Sequence, residues 1–238
     1  MIVEFAGCTG AGKTTLATRF ASRLSEHGVE IQDRTSAGSS PFVTASNAAS
    51  TLLHLGTIAR NWSELAPVLA LGERHISTRA SSPAWRMLRF AGLIRRIGRH
   101  LRDSARDTDE IRVVDEGVCG ALELILGGTE QATADVVDEV VSSMPLPDLI
   151  VWVDAPYESI VNRTRRRVDS PRELRALGEA SLRKRLANSQ ANFRHMMARP
   201  AVSKRVVKAW NPDQPHYEMS RAIDRLVDDL IENNALHV

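Results

Sequence analysis

Near the start of the chain, the stretch Gly7-Cys8-Thr9-Gly10-Ala11-Gly12-Lys13-Thr14 has the residue types and spacing to hold a phosphate group. It fits G-x-x-x-x-G-K-[ST]. Glycines reach turns that other residues avoid, and successive backbone N–H groups can then point inward as a nest for an anion. Lys13 is placed to reach the β- and γ-phosphates of a nucleoside triphosphate, and the Thr14 hydroxyl to ligate Mg²⁺. The amides of the loop, from Gly7 through Cys8, Thr9, Gly10, Ala11 and Gly12 to Thr15, complete the cradle. The plain alternative is a glycine-rich turn that only joins a strand to a helix. The flanks argue for the cradle: Ile2, Val3, Phe5 and Ala6 form an apolar run before Gly7, and Leu16, Phe20 and Leu24 follow it at helical spacing. The loop therefore ends at a helix N-terminus, whose dipole adds to the attraction for anions.

Other chemistry-bearing residues stand at the ends of further apolar runs. The run IRVVD closes on Asp115-Glu116-Gly117, and an acid at the carboxyl end of a buried strand can organise Mg²⁺ or accept a proton. Asp33, followed by Arg34, closes another run. Glu116 and Asp33 are the candidate bases, and Asp115 with Thr14 the candidate metal ligands. Downstream, DAPYESIVNRTRRR reads as a helix from about Pro156, which places Arg163 and Arg167 one turn apart. Together with Arg166 they are candidate cations for charge developing on a transferred phosphoryl group.

Positioning such residues requires strands that end at one edge. Five short apolar runs read as strands at 2–6, 29–33, 111–115, 149–154 and 205–210. Between them, helical patterns cover Lys13 to His27, Thr133 to Ser143, Tyr157 to Arg167, Pro171 to Met197 and Tyr217 to Asn233. This alternation predicts a doubly wound α/β fold with a parallel sheet, read as one domain over 1–238. The connection over about 34–110 is too long for a structureless loop and is expected to be a helical insertion. Within it, SAGSSPF (36–42) and STRASSP (77–83) read as loops, and Met87, Phe90, Ile94, Ile97 and Leu101 fall on one apolar helix face.

Charge is unevenly spread. The formal net charge is +2, yet Arg79 to Arg106 holds eight arginines against the single acid Asp103. A solvated basic helix face is the plain account, and a contact with a nucleotide or nucleic acid the functional one. Cys8 and Cys119 are too few for a disulfide framework or an obvious zinc site. No apolar run approaches the length of a membrane span, and no secretory leader is evident. A cytoplasmic protein is the simplest expectation, and a homodimer is left open.

With these motifs in place, the chain resembles the P-loop nucleoside and nucleotide kinases, particularly thymidylate kinases and deoxynucleoside kinases. GCTGAGKT resembles their phosphate loop, VWVDAPYESIVNRTRRR their fourth strand and arginine-bearing lid, and RVVKAWNPDQP their last strand and base-contacting loop. The resemblance implies a three-layer P-loop fold with five parallel strands in the order 2-3-1-4-5. It also implies ATP and Mg²⁺ as cosubstrates, a lid over 157–175, acceptor binding by 36–110, and Asn211 and Pro212 near the adenine. The similarity fades from about Ser36 to Asp109. The family commonly has an arginine after the third-strand acid, where this chain has Glu116. The function expected is an ATP-dependent transfer of the γ-phosphate to a nucleoside- or nucleotide-like acceptor. Two competing expectations are a kinase for a modified base in DNA or for a sugar, and an ATPase switch with no acceptor.

Overall fold

A computed structural model describes residues 1–34, 56, 59–79, 83–106, 110–115, 117–126, 131–167, 177–212 and 217–232 of the chain. The architecture is α/β. The strands are β1 Ile2–Ala6, β2 Ile31–Arg34, β3 Ile111–Val114, β4 Leu149–Asp154 and β5 Val206–Trp210. They form a sheet in the order β2-β3-β1-β4-β5, and each neighbouring pair runs parallel. β1 and β3 are buried along their whole length, because helices cover both faces of a parallel sheet. The chain leaves β1 to one side for β3 and β2 and to the other for β4. The loop after β1 therefore opens at the switch point of the sheet, where a crevice for ligands forms beyond the strand ends.

The helices among the described residues are α1 Lys13–Glu26, α2 Trp62–Arg79, α3 Pro83–Ser104, α4 Val118–Leu126, α5 Ala134–Ser143, α6 Tyr157–Arg166, α7 Glu179–Met197, α8 Pro200–Ser203 and α9 Tyr217–Glu232. α4 and α8 are additions to the set expected from sequence. α4 escapes a periodicity reading because VCGALELIL is apolar almost all round, so it has no polar face to give a 3.6-residue period. β2 begins at Ile31 and not at Val29, because the Val29 N–H still bonds to the Leu24 carbonyl of α1 at 3.2 Å. Part of the expected loop at 77–83 is helical, and 80–82 lie outside the described residues. α2 runs to Arg79, and Pro83 opens α3, a position where its missing N–H is no loss. The SAGSSPF loop lies outside the described residues, as does 171–176, the start of the expected helix 171–197. The described part of that helix begins at Glu179 after an extended Gly178.

Alternation along β1 divides its side chains between the two faces of the sheet. Val3 and Phe5 face α1, which buries Leu16, Phe20 and Leu24 fully. The Phe5 and Phe20 rings meet at 5.4 Å between centroids. Burial of each such side chain contributes about 1.5–3 kcal/mol. α9 packs beside α1, held in part by Arg23 Nε to Asp224 Oδ1 at 3.1 Å. Glu4 faces the other way, toward α4. The apolar stripe predicted on α3 is only partly buried. Ile94 and Ile97 are in the core and Phe90 and Leu101 lean against it, but Met87 is 73% exposed. Among the described residues, no helix is long and apolar enough to cross a membrane.

Candidate functional site

The loop Gly7–Gly12 leaves the carboxyl end of β1 and turns directly into α1. Gly10 and Gly12 adopt left-handed conformations, with φ of 86° and 100°. Gly12 is confined as well as strained, because a Cβ there would run into the side-chain amide of Asn211. The Ala11 N–H donates to the Cys8 carbonyl at 3.2 Å, and the Leu16 N–H to the Gly12 carbonyl at 3.2 Å, which starts the helix. The first amides of α1 have no carbonyl of their own helix to bond, and such a terminus favours an anion. Lys13 curls over the loop, its Nζ donating to the Cys8 carbonyl at 3.1 Å.

Asp115 follows β3 and is 2% exposed. The Thr14 hydroxyl donates to its Oδ2 at 2.7 Å. Two hard oxygen groups thus meet at the mouth of the loop, from residues 101 positions apart in the chain. This donor set fits Mg²⁺, which favours oxygen and takes only one or two protein ligands beside phosphates and water. Among the described residues there is no cluster of three or more His, Cys, Asp or Glu that would form a separate metal cage.

The arginine-bearing helix α6 is docked on this loop. Arg163 donates through Nη1 to the Ala11 carbonyl at 3.4 Å. Through Nη2 it donates to the Asn211 carbonyl at 3.5 Å, Asn211 Oδ1 at 3.3 Å and the Pro212 carbonyl at 3.2 Å. Asn211, 6% exposed, donates its own Nδ2 to the Ala11 carbonyl at 2.6 Å. One residue further along α6, the Thr164 hydroxyl reaches the Thr9 carbonyl at 3.4 Å. The residues after β5 and helix α6 therefore both hold the outer wall of the Gly7–Gly12 loop. Asn211, expected beside the adenine, has its amide turned to the loop.

Arg167 caps α6, its N–H donating to the Arg163 carbonyl at 3.1 Å, and its side chain is exposed. Arg166 is exposed in the last turn. Arg165 pairs with Glu179, while Arg183 bridges Glu158 at 2.7 Å and Glu179 at 2.6 Å, so α6 and α7 are joined along their exposed sides. Asp33 lies in β2, in register with Val113, and β3 separates its strand from β1. Glu116 lies outside the described residues. In the basic segment Arg86 is exposed, whereas Arg96 Nη1 donates inward to the Gly120 carbonyl at 3.2 Å.

Two carboxylates that the sequence reading passed over hold the surrounding chain. Asp154 ends β4 and is 3% exposed. Its Oδ1 accepts from Gln190 Nε2 at 2.8 Å and from the Ala155 N–H at 3.1 Å, and Lys208 Nζ stands 3.4 Å from Oδ2. Glu4, in the middle of β1, is 1% exposed. It accepts the Gly120 N–H at 3.2 Å and lies against Cys119. Burial pushes its carboxyl from 4.5 up to about 7, against the opposing pull of Cys119, Gly120 and the Arg96 charge. The same burial drives the Cys119 thiol well above its usual value. The signal for both acids was a charged residue inside or ending an otherwise apolar strand. No family model matches the chain, and no curated protein is significantly similar to it.

Proposed function

We propose that this protein is an ATP-dependent phosphotransferase that delivers the γ-phosphate to a small, nucleoside-like acceptor. The observation that carries this reading is the 2.7 Å bond from Thr14 to the buried Asp115 at the mouth of a glycine loop that opens α1. A nest of amides, a lysine and a pair of hard oxygen groups converge there from β1, α1 and the end of β3. That combination suits a triphosphate with Mg²⁺.

In this reading the loop amides and the start of α1 hold the β- and γ-phosphates. Lys13 leaves the Cys8 carbonyl to follow the phosphate charge. Thr14 and Asp115 hold Mg²⁺, which when bound neutralises charge on the phosphate oxygens. Arg163 and Asn211 keep the loop in shape from outside. Arg166 and Arg167, exposed at the end of α6, are the further candidate cations of the lid-like segment. Asp33, near the carboxyl end of β2, is the candidate to accept the proton of the acceptor hydroxyl. Catalysis then rests on positioning and charge stabilisation. Support for transfer over a simple switch comes from the arginine-bearing helix seated on the loop and from the inserted helices beside the sheet.

The test is transfer of labelled phosphate from ATP to a panel of nucleosides, nucleotides, sugars and duplex DNA, with Asp115→Asn alongside. The expected result is labelling of one small acceptor. Asp115→Asn should retain ATP binding and lose about a hundredfold or more in rate, since it keeps the shape and removes the charge. ATP hydrolysis indifferent to every acceptor would favour the switch. An unchanged rate and Mg²⁺ dependence in Asp115→Asn would remove Asp115 from the site.

A further inference from the structure

A buried carboxylate in the central strand of a sheet calls for a reason, because removing its charge from water carries a penalty of several kcal/mol that only well-placed partners offset. Glu4 has such partners on one side. Its carboxyl takes the Gly120 N–H at 3.2 Å and lies against Cys119, and both residues belong to the first turn of α4, the positive end of that helix. Gly117 fits the same point from above. A Cβ on it would come within 2.5 Å of the Glu4 carboxyl, so the chain passes over Glu4 as closely as its backbone allows. Arg96 of α3 binds the Gly120 carbonyl at 3.2 Å, which joins the inserted helices to this same turn.

The geometry of the crossover gives the contact a consequence. Glu4 and Val114 are partners in the register of β1 and β3, and Asp115 is the next residue. Asp115 turns toward α1, where it meets Thr14. Two residues later Gly117 is already on the opposite face of the sheet, over Glu4. Asp115 and Gly117, two positions apart in the chain, are thus held on opposite sides, Asp115 by Thr14 on one face and Gly117 against Glu4 on the other.

We propose that Glu4 is a positioning residue for the phosphate site: by holding the start of α4 it fixes the turn that carries Asp115, and Arg96 ties the inserted helices to the same anchor. This rests on the reading of Thr14 and Asp115 as the Mg²⁺ side of that site. Glu4 touches no reacting atom and acts through the placement of Asp115. The link also gives the basic insertion a mechanical route to the donor site, since a displacement of α3 at Arg96 pulls on the turn that carries Asp115.

The test uses the purified full chain, titrated with fluorescent ATP in the presence and absence of Mg²⁺, and compares the wild type with Glu4→Gln and with Arg96→Gln. Hydrogen exchange at the amides of Cys119 and Gly120 is followed in the same samples without nucleotide. Glu4→Gln should leave Mg²⁺-free ATP affinity within about twofold while reducing the enhancement by Mg²⁺ about tenfold, with faster exchange at both amides. Arg96→Gln, altered outside the core, should do the same to a smaller degree and keeps the question open to measurement if Glu4→Gln does not fold. An unchanged Mg²⁺ enhancement in either folded variant overturns the proposal, as does equal loss of affinity with and without Mg²⁺. Absence of Mg²⁺-dependent ATP binding in the wild type would instead overturn the phosphate-site reading itself, and this proposal with it.

Discussion

The loop after β1 and the inserted helices are built on different principles. Around the Gly7–Gly12 loop, backbone groups do most of the work: Cys8, Thr9 and Ala11 of the loop and Asn211 and Pro212 after β5 all offer carbonyls to side chains or amides. On the inserted side, α2 and α3 attach through buried aliphatic side chains such as Leu65, Val68, Leu93 and Ile97, with Arg96 to Gly120 as a directed tie. Hydrogen bonds fix distance and angle, whereas apolar packing fixes mainly volume and tolerates rearrangement. A group that must meet a triphosphate in one geometry suits the first construction. A surface that selects among acceptors suits the second.

The largest effect expected is on the directed side. Lys13→Ala should remove phosphoryl transfer by about a hundredfold or more, with far-ultraviolet circular dichroism and melting temperature close to the wild type, because Lys13 contributes its charge to the loop and not to the core. Near-normal turnover by a folded Lys13→Ala chain would end the kinase reading.

Next comes the anchor between the two regions. Glu4 is raised from 4.5 to about 7 in the folded chain, so between these values the folded state binds more protons than the unfolded one. The sign follows: stability falls as pH rises through this window, and the penalty is complete above the folded value. The shift corresponds to roughly 3 kcal/mol. Glu4→Gln cannot titrate, so urea unfolding should show it gaining stability relative to the wild type by up to that amount between about pH 5 and about pH 8. A constant difference between the two chains across this range would show that Glu4 keeps an ordinary carboxyl.

The smallest effect is expected at the rim of the insertion. Arg86 is exposed, and exposed charges contribute about 1 kcal/mol or less. Arg86→Gln should weaken use of an anionic acceptor by up to about fivefold, less so at high salt, with ATP affinity unchanged. Equal loss toward ATP and acceptor would erase the distinction between the two regions. No loss toward either would make Arg86 part of a solvated helix face.

Much of the directed region was legible in the chain. The run Gly7 to Thr14 states its own geometry, because glycine spacing, lysine and hydroxyl are fixed along a few bonds, and the apolar flanks announce the strand and helix that frame it. The approximate positions of β1, β3, β4 and β5 followed from short apolar runs. The insertion was less legible. The α3 stripe was recognisable, yet Met87 lies outside the packed stretch, since periodicity shows which face is apolar and not how far the partner extends. The contact of Asn211 with the loop was not legible either, because an amide side chain can serve a base or a backbone carbonyl equally well, and only the fold brings its Nδ2 to the Ala11 carbonyl.

The sequence by itself determined most of the elements, though not α4 or α8, and the one local device, since these depend on interactions between residues near in the chain: alternation, helical spacing, glycine turns. The tertiary structure decided which distant residues meet. It brought Asp115 to Thr14 across 101 positions and Arg163 to Ala11 across 152. It also set Glu4 beneath Gly117 and Gly120. Such meetings depend on strand order and on which face of the sheet a side chain occupies, and one strand slipped by a single residue would turn every one of its side chains to the other face.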